Sequence, residues 1–172
     1  GGVDPLVFDL DGDGLELTAM ASGVGPMFDM DGDQFAEYTG WVAPDDGFLV
    51  RDTNANGAID DVGEMFGGPG ESGFAALETH DDNADGIIDA SDAIYADLRI
   101  WRDLDRDGQT DDGELFTLTD LDITSVGLMP TADGSTNSLN VVAQTGSFTR
   151  GDGSTGTVGD VVFRVNNYDT VY

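Results

Sequence analysis

Asp103-Leu104-Asp105-Arg106-Asp107-Gly108-Gln109-Thr110-Asp111-Asp112-Gly113-Glu114 carries acids at its first, third and fifth positions, glycine at the sixth, aspartate at the ninth and glutamate at the twelfth. That spacing is the EF-hand calcium loop, in which glycine allows the sharp turn and the last acid closes the site. Calcium is a hard cation that takes about six to eight oxygens. Asp103, Asp105, Asp107, Asp111 and Glu114 offer side-chain oxygens, and Gln109 offers a backbone carbonyl. An EF-hand loop is expected to sit between helices, so this stretch decides the fold that the sequence predicts.

Upstream, Asp81, Asn83, Asp85, Gly86, Ile87, Asp89 and Asp92 repeat the pattern, with a shorter acid at the twelfth position and Ile87 offering its carbonyl. Residues 73–79 read as a short entering helix. Residues 92–101 read as a helix shared by the two loops, with Ile94, Leu98 and Trp101 on one face. Ile88 and Thr110 hold equivalent eighth positions, where paired loops join by a short β-bridge. Residues 73–120 therefore read as an EF-hand pair, with His80 at a helix end beside the first loop.

A third loop, built on Asp52, Asn54, Asn56, Gly57, Ala58 and Asp60, departs by one residue: Glu64 falls at the thirteenth position. Two further stretches carry half the motif. Asp9, Asp11 and Asp13 precede Gly14 but have Met20 at the twelfth position, with Glu16 as a substitute. Asp29, Asp31 and Asp33 have Gln34 where glycine belongs and Gly40 at the twelfth, with Glu37 as a substitute. Each of these two is either a calcium site or an acidic β-turn. The count of bound calcium ions is then about three to five.

Between the loops, Leu6–Phe8, Gly47–Arg51 and Ser125–Met129 are short apolar runs bounded by turn residues, hence strands. Residues 138–165 read as a β-hairpin turning at Arg150-Gly151-Asp152, a triplet read as turn chemistry and not as an adhesion signal. The predicted fold class is α+β: one compact domain in which an EF-hand-like pair and further calcium loops pack on short antiparallel strands.

Composition narrows the function. Six basic residues, all arginine, face 35 acids for a net charge of −29 over 172 residues. That balance excludes nucleic acid and anionic membrane as partners, and it calls for neutralising cations. With 39% hydrophobic residues, a core is available once the charge is compensated. Cysteine is absent and His80 is the only histidine, which excludes disulfides, thiolate metal sites and Ser-His-Asp catalysis within the chain. No signal peptide or membrane span is expected, and the chain beginning Gly1-Gly2 reads as a monomeric module of something longer.

One junction stands apart from the loops. Asp4-Pro5 is the only Asp-Pro bond in the sequence. The Asp4 carboxylate can reach its own backbone carbonyl and close a five-membered cyclic anhydride, an attack whose effective concentration is of order 10⁵ M or more when the geometry is held. Proline is a competent leaving group because its nitrogen belongs to a tertiary amide. The competing reading is an ordinary strand start.

Asp4-Pro5-Leu6, Asp9 to Gly14, Gly40-Trp41-Val42-Ala43, Asp45-Asp46-Gly47 and Leu49-Val50-Arg51-Asp52 follow one another in order. Asn54, Asn56-Gly57, Glu64-Met65-Phe66-Gly67, Gly73 to Leu77, Arg99-Ile100-Trp101 and Gly146-Ser147-Phe148-Thr149 continue the series. From Asp4 to about Val165 this order resembles the self-processing module of FrpC-type RTX proteins. The resemblance implies a secreted or cell-surface type I (RTX) protein whose module, residues 5–172 after a flank of residues 1–4, folds on extracellular calcium and cleaves the Asp-Pro bond at its start. It further implies Asp4 as nucleophile and acyl donor, Pro5 as leaving group, and capture of the acyl group by a lysine amine of a neighbouring protein as an isopeptide bond. Gln34 and the thirteenth-position Glu64 depart from the family's loops.

Two constraints come from the residues themselves. Without lysine in the chain, the acceptor amine must come from elsewhere, or water opens the anhydride. Asp4 and Asp9 are five residues apart, about 17 Å if extended, so a calcium at Asp9 acts through folding unless the segment folds back to make the ion a Lewis acid on the carbonyl. The rival function is a non-catalytic, dockerin-like EF-hand binding or spacer module, for which Asp4→Ala changes nothing.

Overall fold

The computed structural model describes residues 5–19, 26–29, 34, 36–59, 62–67, 72–138 and 140–163. Its strands are β1 (Leu6–Phe8), β2 (Leu17–Thr18), β3 (Met27–Phe28), β4 (Glu37–Tyr38), β5 (Trp41–Val42), β6 (Gly47–Val50) and β7 (Ile87–Asp89). They continue as β8 (Arg99–Trp101), β9 (Leu115–Thr117), β10 (Ile123–Gly127), β11 (Thr131–Asn137), β12 (Asn140–Arg150) and β13 (Thr155–Val162). Nine of them form one antiparallel sheet in the order β7-β10-β12-β13-β1-β6-β8-β9, with β11 added against β12. Pairs β2–β5 and β3–β4 stand as two small sheets.

The central strand is the shortest argument for the whole arrangement. Leu6, Val7 and Phe8 are fully buried because β1 lies between β13 and β6 and both faces of the sheet are covered. Strand alternation sends Leu6 and Phe8 into one core, with Leu49, Ile100, Val126 and Phe148. Val7 goes into the other, with Phe48, Val50, Trp41 and Trp101. The second core is aromatic: Trp41 meets Trp101 edge-on at 5.5 Å between ring centroids and Phe48 at 4.9 Å. β7 and β8 lie near opposite ends of the sheet order yet are separated by only a short turn of chain, so the sheet must curl to bring its ends together.

The α+β expectation is wrong. Among the described residues the sole α-helix, α1 (Gly73–Glu78), is six residues long, capped by the Ser72 side chain accepting from the Ala75 N–H. The expected shared helix over 92–101 is instead a 3-10 turn, Ala93–Asp97, followed by β8. Ile94 and Leu98 pack in the first core and Trp101 in the second, so the three residues that share a helical face in the sequence serve opposite faces of a sheet. Ile100 and Trp101, good strand formers, gain ladder partners in β6 and β9 that a helix would forgo.

The EF-hand pairing over 73–120 fails with it. Ile88 pairs with Val126 of β10, not with Thr110. The eighth position of the Asp103 loop is engaged by the eighth position of the Asp52 loop: the Ile59 N–H donates to Thr110 Oγ1 at 2.9 Å. The Asp81 loop leads into an edge strand, and the Asp103 loop is the connection of the β8–β9 hairpin. Two calcium-type loops adjacent in sequence thus serve opposite ends of one sheet.

Candidate metal loops and the start of the central strand

All five acidic loops close on the same hydrogen bond. The first-position aspartate accepts the N–H of the sixth residue: Asp9 from Gly14 at 2.9 Å, Asp29 from Gln34 at 2.9 Å, Asp52 from Gly57 at 2.7 Å, Asp81 from Gly86 at 2.9 Å and Asp103 from Gly108 at 2.8 Å. The sixth residue must be left-handed to point its N–H inward. Gly108 does so at φ +76°, and Gln34 takes the same conformation at φ +77° despite its side chain. Gln34 therefore departs from the motif in residue type but not in turn geometry.

In four of the five loops an acid also closes the far end. Glu114 accepts the N–H of Leu104, second in its loop, at 2.9 Å and that of Asp111 at 2.9 Å. Asp92 accepts from Asp82 at 2.8 Å and Asp89 at 3.0 Å. Glu64 reaches the same place from the thirteenth position, accepting the Thr53 N–H at 3.0 Å. The first loop takes its closing acid from elsewhere in the chain: fully buried Asp46 accepts from Leu10 at 3.2 Å and Glu16 at 2.7 Å. Sequence reading assigned Asp46 no part in a metal site. Its only trace there is the vacant twelfth position at Met20, because Asp46 becomes an option only once β6 pairs with β1.

The predicted ligands gather unevenly. Carboxylate oxygens of Asp103, Asp105 and Glu114 lie within 4.8 Å of one another, as do those of Asp105, Asp107 and Asp111, and those of Asp81, Asp85 and Asp92. Asp9 and Asp11 cluster with Asp46, and Asp11 and Asp13 with Glu16 and Asp45. Asp89 is directed differently, capping the Ser91 N–H at 2.9 Å. Asn54 and Asn56 face their own loop, bonding the N–H groups of Asn56 and Ala58 at 3.3 Å and 3.0 Å. Asn83 donates to Asp85, and the N–H groups of Ile87 and Gln109 are taken by Asp85 and Asp107 at 3.2 Å and 2.9 Å. Asp29 is buried. Asp4, Asp31, Asp33 and Asp60 lie outside the described residues.

Crowding and burial raise some of these acids above the ordinary carboxylate range, while hydrogen bonds from their neighbours Asp13 and Asp103 lower Asp11 and Asp105. A hydrogen bond shared with Asp45, then one with Asp13, pushes Glu16 up to about 8. Burial pushes Asp46 and Asp103 up to about 7. The bond with Asp105 lifts Asp111 to about 6. Oxygen-only donors packed until they retain protons suit a hard divalent cation, whose charge would replace those protons. The Asp103 cluster is also built into the core, since Trp41 Nε1 donates to Asp103 Oδ2 at 2.7 Å and Trp101 Nε1 to Glu114 Oε1 at 3.3 Å.

At the start of β1, Pro5 is buried and its carbonyl accepts the Val161 N–H at 3.0 Å. The chain then runs through β1 directly into the Asp9 loop, whose first N–H donates to the Thr157 carbonyl at 2.9 Å. Arg150 ties the same loop to the far hairpin by donating to the Leu10 carbonyl while stacking over Phe148. His80 lies past the end of α1, edge-on to Phe66.

Residues 6–164 match the SPM domain. The chain is 42% identical over 173 aligned positions to the iron-regulated protein FrpA of Neisseria meningitidis serogroup C, an alignment covering 95% of this chain and 16% of that relative's length. No helix among the described residues is long and apolar enough to cross a membrane.

Proposed function

The chain belongs to the SPM domain family, and on that premise we propose that it is a calcium-triggered self-processing module that cleaves its own Asp4–Pro5 bond. The observation that carries the reading is the placement of Pro5: buried, bonded through its carbonyl to Val161, and first in line to the sheet's central strand. The leaving-group side of the bond is thereby held by the folded sheet, while the acyl side precedes it. When bound, calcium supplies positive charge to the oxygen clusters and so couples cleavage to folding.

The chemistry belongs to the chain. A carboxylate oxygen of Asp4 attacks the Asp4 carbonyl carbon, the carbon–nitrogen bond to Pro5 breaks, and the proline nitrogen takes up a proton to leave as a secondary amine. The cyclic anhydride left at Asp4 is opened by water, giving plain cleavage, or by a lysine amine, giving an isopeptide bond. The chain holds no lysine, so that amine comes from a neighbouring protein. A secreted or cell-surface setting follows, because extracellular calcium reaches the roughly 10⁻⁴–10⁻³ M at which extracellular modules load.

The test is the intact mass of the chain behind a folded, lysine-bearing tag, with and without millimolar calcium, beside Asp4→Ala. Scission after Asp4 that needs calcium and vanishes in Asp4→Ala is expected, with added high-mass species if lysine competes with water. An uncut chain that nonetheless folds with calcium would overturn the reading.

A further inference from the structure

We propose that residues 64–66 form a positioning strip for the bond to be cut, and that calcium in the Asp52 loop governs cleavage through this strip, beyond its share in folding. The inference rests on the cleavage reading, and its test separates the two.

The argument starts from the edge of β6 that faces β1. Val7 stands opposite Phe48 and Phe8 opposite Gly47, so the same register would set residue 5 opposite Val50. That place is taken. Val50 pairs with Arg99 of β8 on one edge and with Met65 in an antiparallel bridge, which leaves the β1-facing edge to Met65. The Arg51 N–H fixes the bridge by donating to the Glu64 carbonyl at 2.8 Å. The strip then alternates as a strand does. Met65 enters the second core with Val7 and Val50, and Phe66 enters the first with Leu6 and Leu49.

The strip thus takes over the β6 edge at the level of residue 5. Pro5 keeps its ladder bond to β13, from the Val161 N–H at 3.0 Å, but is denied a second one to β6. The nitrogen of the Asp4–Pro5 bond belongs to Pro5, so the bond is anchored from one side and not drawn into the sheet from both. Attack within one residue depends on such placement, and an error of about 1 Å costs about 10²-fold in rate.

A calcium loop holds the strip. Glu64 is buried and does two things at once: its carboxylate closes the Asp52 loop on the Thr53 N–H at 3.0 Å, and its carbonyl holds Arg51. Asp52, which accepts the Gly57 N–H at 2.7 Å, directly follows Arg51. The loop therefore begins and ends at the bridge beside residue 5. The Asp9 and Asp103 loops instead follow β1 and β8 at the opposite end, past Phe8 and Trp101.

The test follows two calcium midpoints, folding by circular dichroism and cleavage by intact mass, in the parent chain and in Glu64→Gln. Glu64→Gln is expected to raise the cleavage midpoint about tenfold or more relative to the folding midpoint, with higher calcium restoring the rate. Leu118→Ala, a truncation in the first core outside the strip and the loops, should move both midpoints together. Midpoints that also move together in Glu64→Gln overturn the proposal. The second readout needs no cleavage: amide hydrogen exchange in the uncut Asp4→Ala chain, at a calcium concentration that folds it. Adding Glu64→Gln should speed exchange of the Arg51 N–H about tenfold or more while that of Val161 holds. An unchanged Arg51 rate overturns the proposal, whereas a parent chain that never cuts defeats the cleavage reading itself. If Glu64→Gln does not fold, Asn54→Ala in the same loop takes its place in both measurements.

Discussion

Asp46 does for the first loop what Glu114 does for its own, accepting the second residue's N–H from a position 36 residues away. Asp46→Asn keeps the shape but removes a charge from a site also lined by Asp9 and Asp11. Calorimetric titration with calcium is expected to show one site weakened about tenfold or more, with the Asp103 and Asp81 sites unaffected. The raised acids give a pH dependence whose sign can be worked out. In the calcium-free fold Asp46 and Asp103 hold protons up to about pH 7, and Glu16 up to about 8, whereas the unfolded carboxyls release theirs near 3.8 and 4.5. Between those limits the fold binds more protons than the unfolded chain, so calcium-free stability falls as pH rises. Circular dichroism in chelator should therefore show structure gained on acidification from pH 8 to 5. Calcium binding near pH 7 should release protons, measurable as a buffer-dependent heat. Gly108 answers to sterics: a β-carbon there would run into the Met27 backbone carbonyl at a left-handed φ. Gly108→Ala is expected to destabilise by about 2 kcal/mol, read in chemical denaturation with calcium present.

At the scale of elements, the loops join short pieces of secondary structure and not paired helices. The Asp103 loop joins β8 to β9, and its contact with the Asp52 loop is the Ile59–Thr110 hydrogen bond. Thr110→Val keeps the volume but leaves the N–H of buried Ile59 without its acceptor, at a cost of about 1–3 kcal/mol. The unfolding temperature in calcium should fall accordingly, whereas the analogous change at Ile88, Ile88→Val, should leave the Asp103 loop's calcium affinity unchanged because Ile88 belongs to the β7–β10 pairing. The short α1 ends by donating the His80 and Asp81 N–H groups back to Leu77 and Glu78, which sets the first residue of the Asp81 loop. Its work is to deliver that loop to the sheet's edge, not to pair with another helix.

The whole molecule combines a well-filled two-sided core with a charge of −29. Each calcium at one hundred times its dissociation constant would stabilise the fold by about 2.7 kcal/mol, so several together rival a domain's entire stability. Far-ultraviolet circular dichroism is expected to show a largely disordered chain in chelator and a β-rich one in millimolar calcium. A β-rich spectrum in both would refute calcium-coupled folding. Because β1 is the sheet's centre, ordering of Pro5 would come only with assembly of the strands on either side, which would link the trigger to the whole fold rather than to one loop.

The sequence by itself determined what depends on neighbours along the chain. Turn residues at fixed offsets placed the five acidic loops, apolar runs placed β1, β6 and β10, and the charge balance demanded cations. It singled out Asp4–Pro5 as the bond on which the proposed cleavage rests, because that chemistry is confined to two adjacent residues. What joins those pieces was decided by tertiary structure. A twelve-residue loop closes on the same local hydrogen bonds whether helices or strands flank it, so the loop pattern carried no information about its flanks. Ile94, Leu98 and Trp101 fit a helical stripe equally well until the sheet drew them to opposite faces. Asp46 closing the Asp9 loop, Ile59 meeting Thr110, and Val161 facing Pro5 are all contacts between distant residues, which exist only once the strands and loops have been brought together.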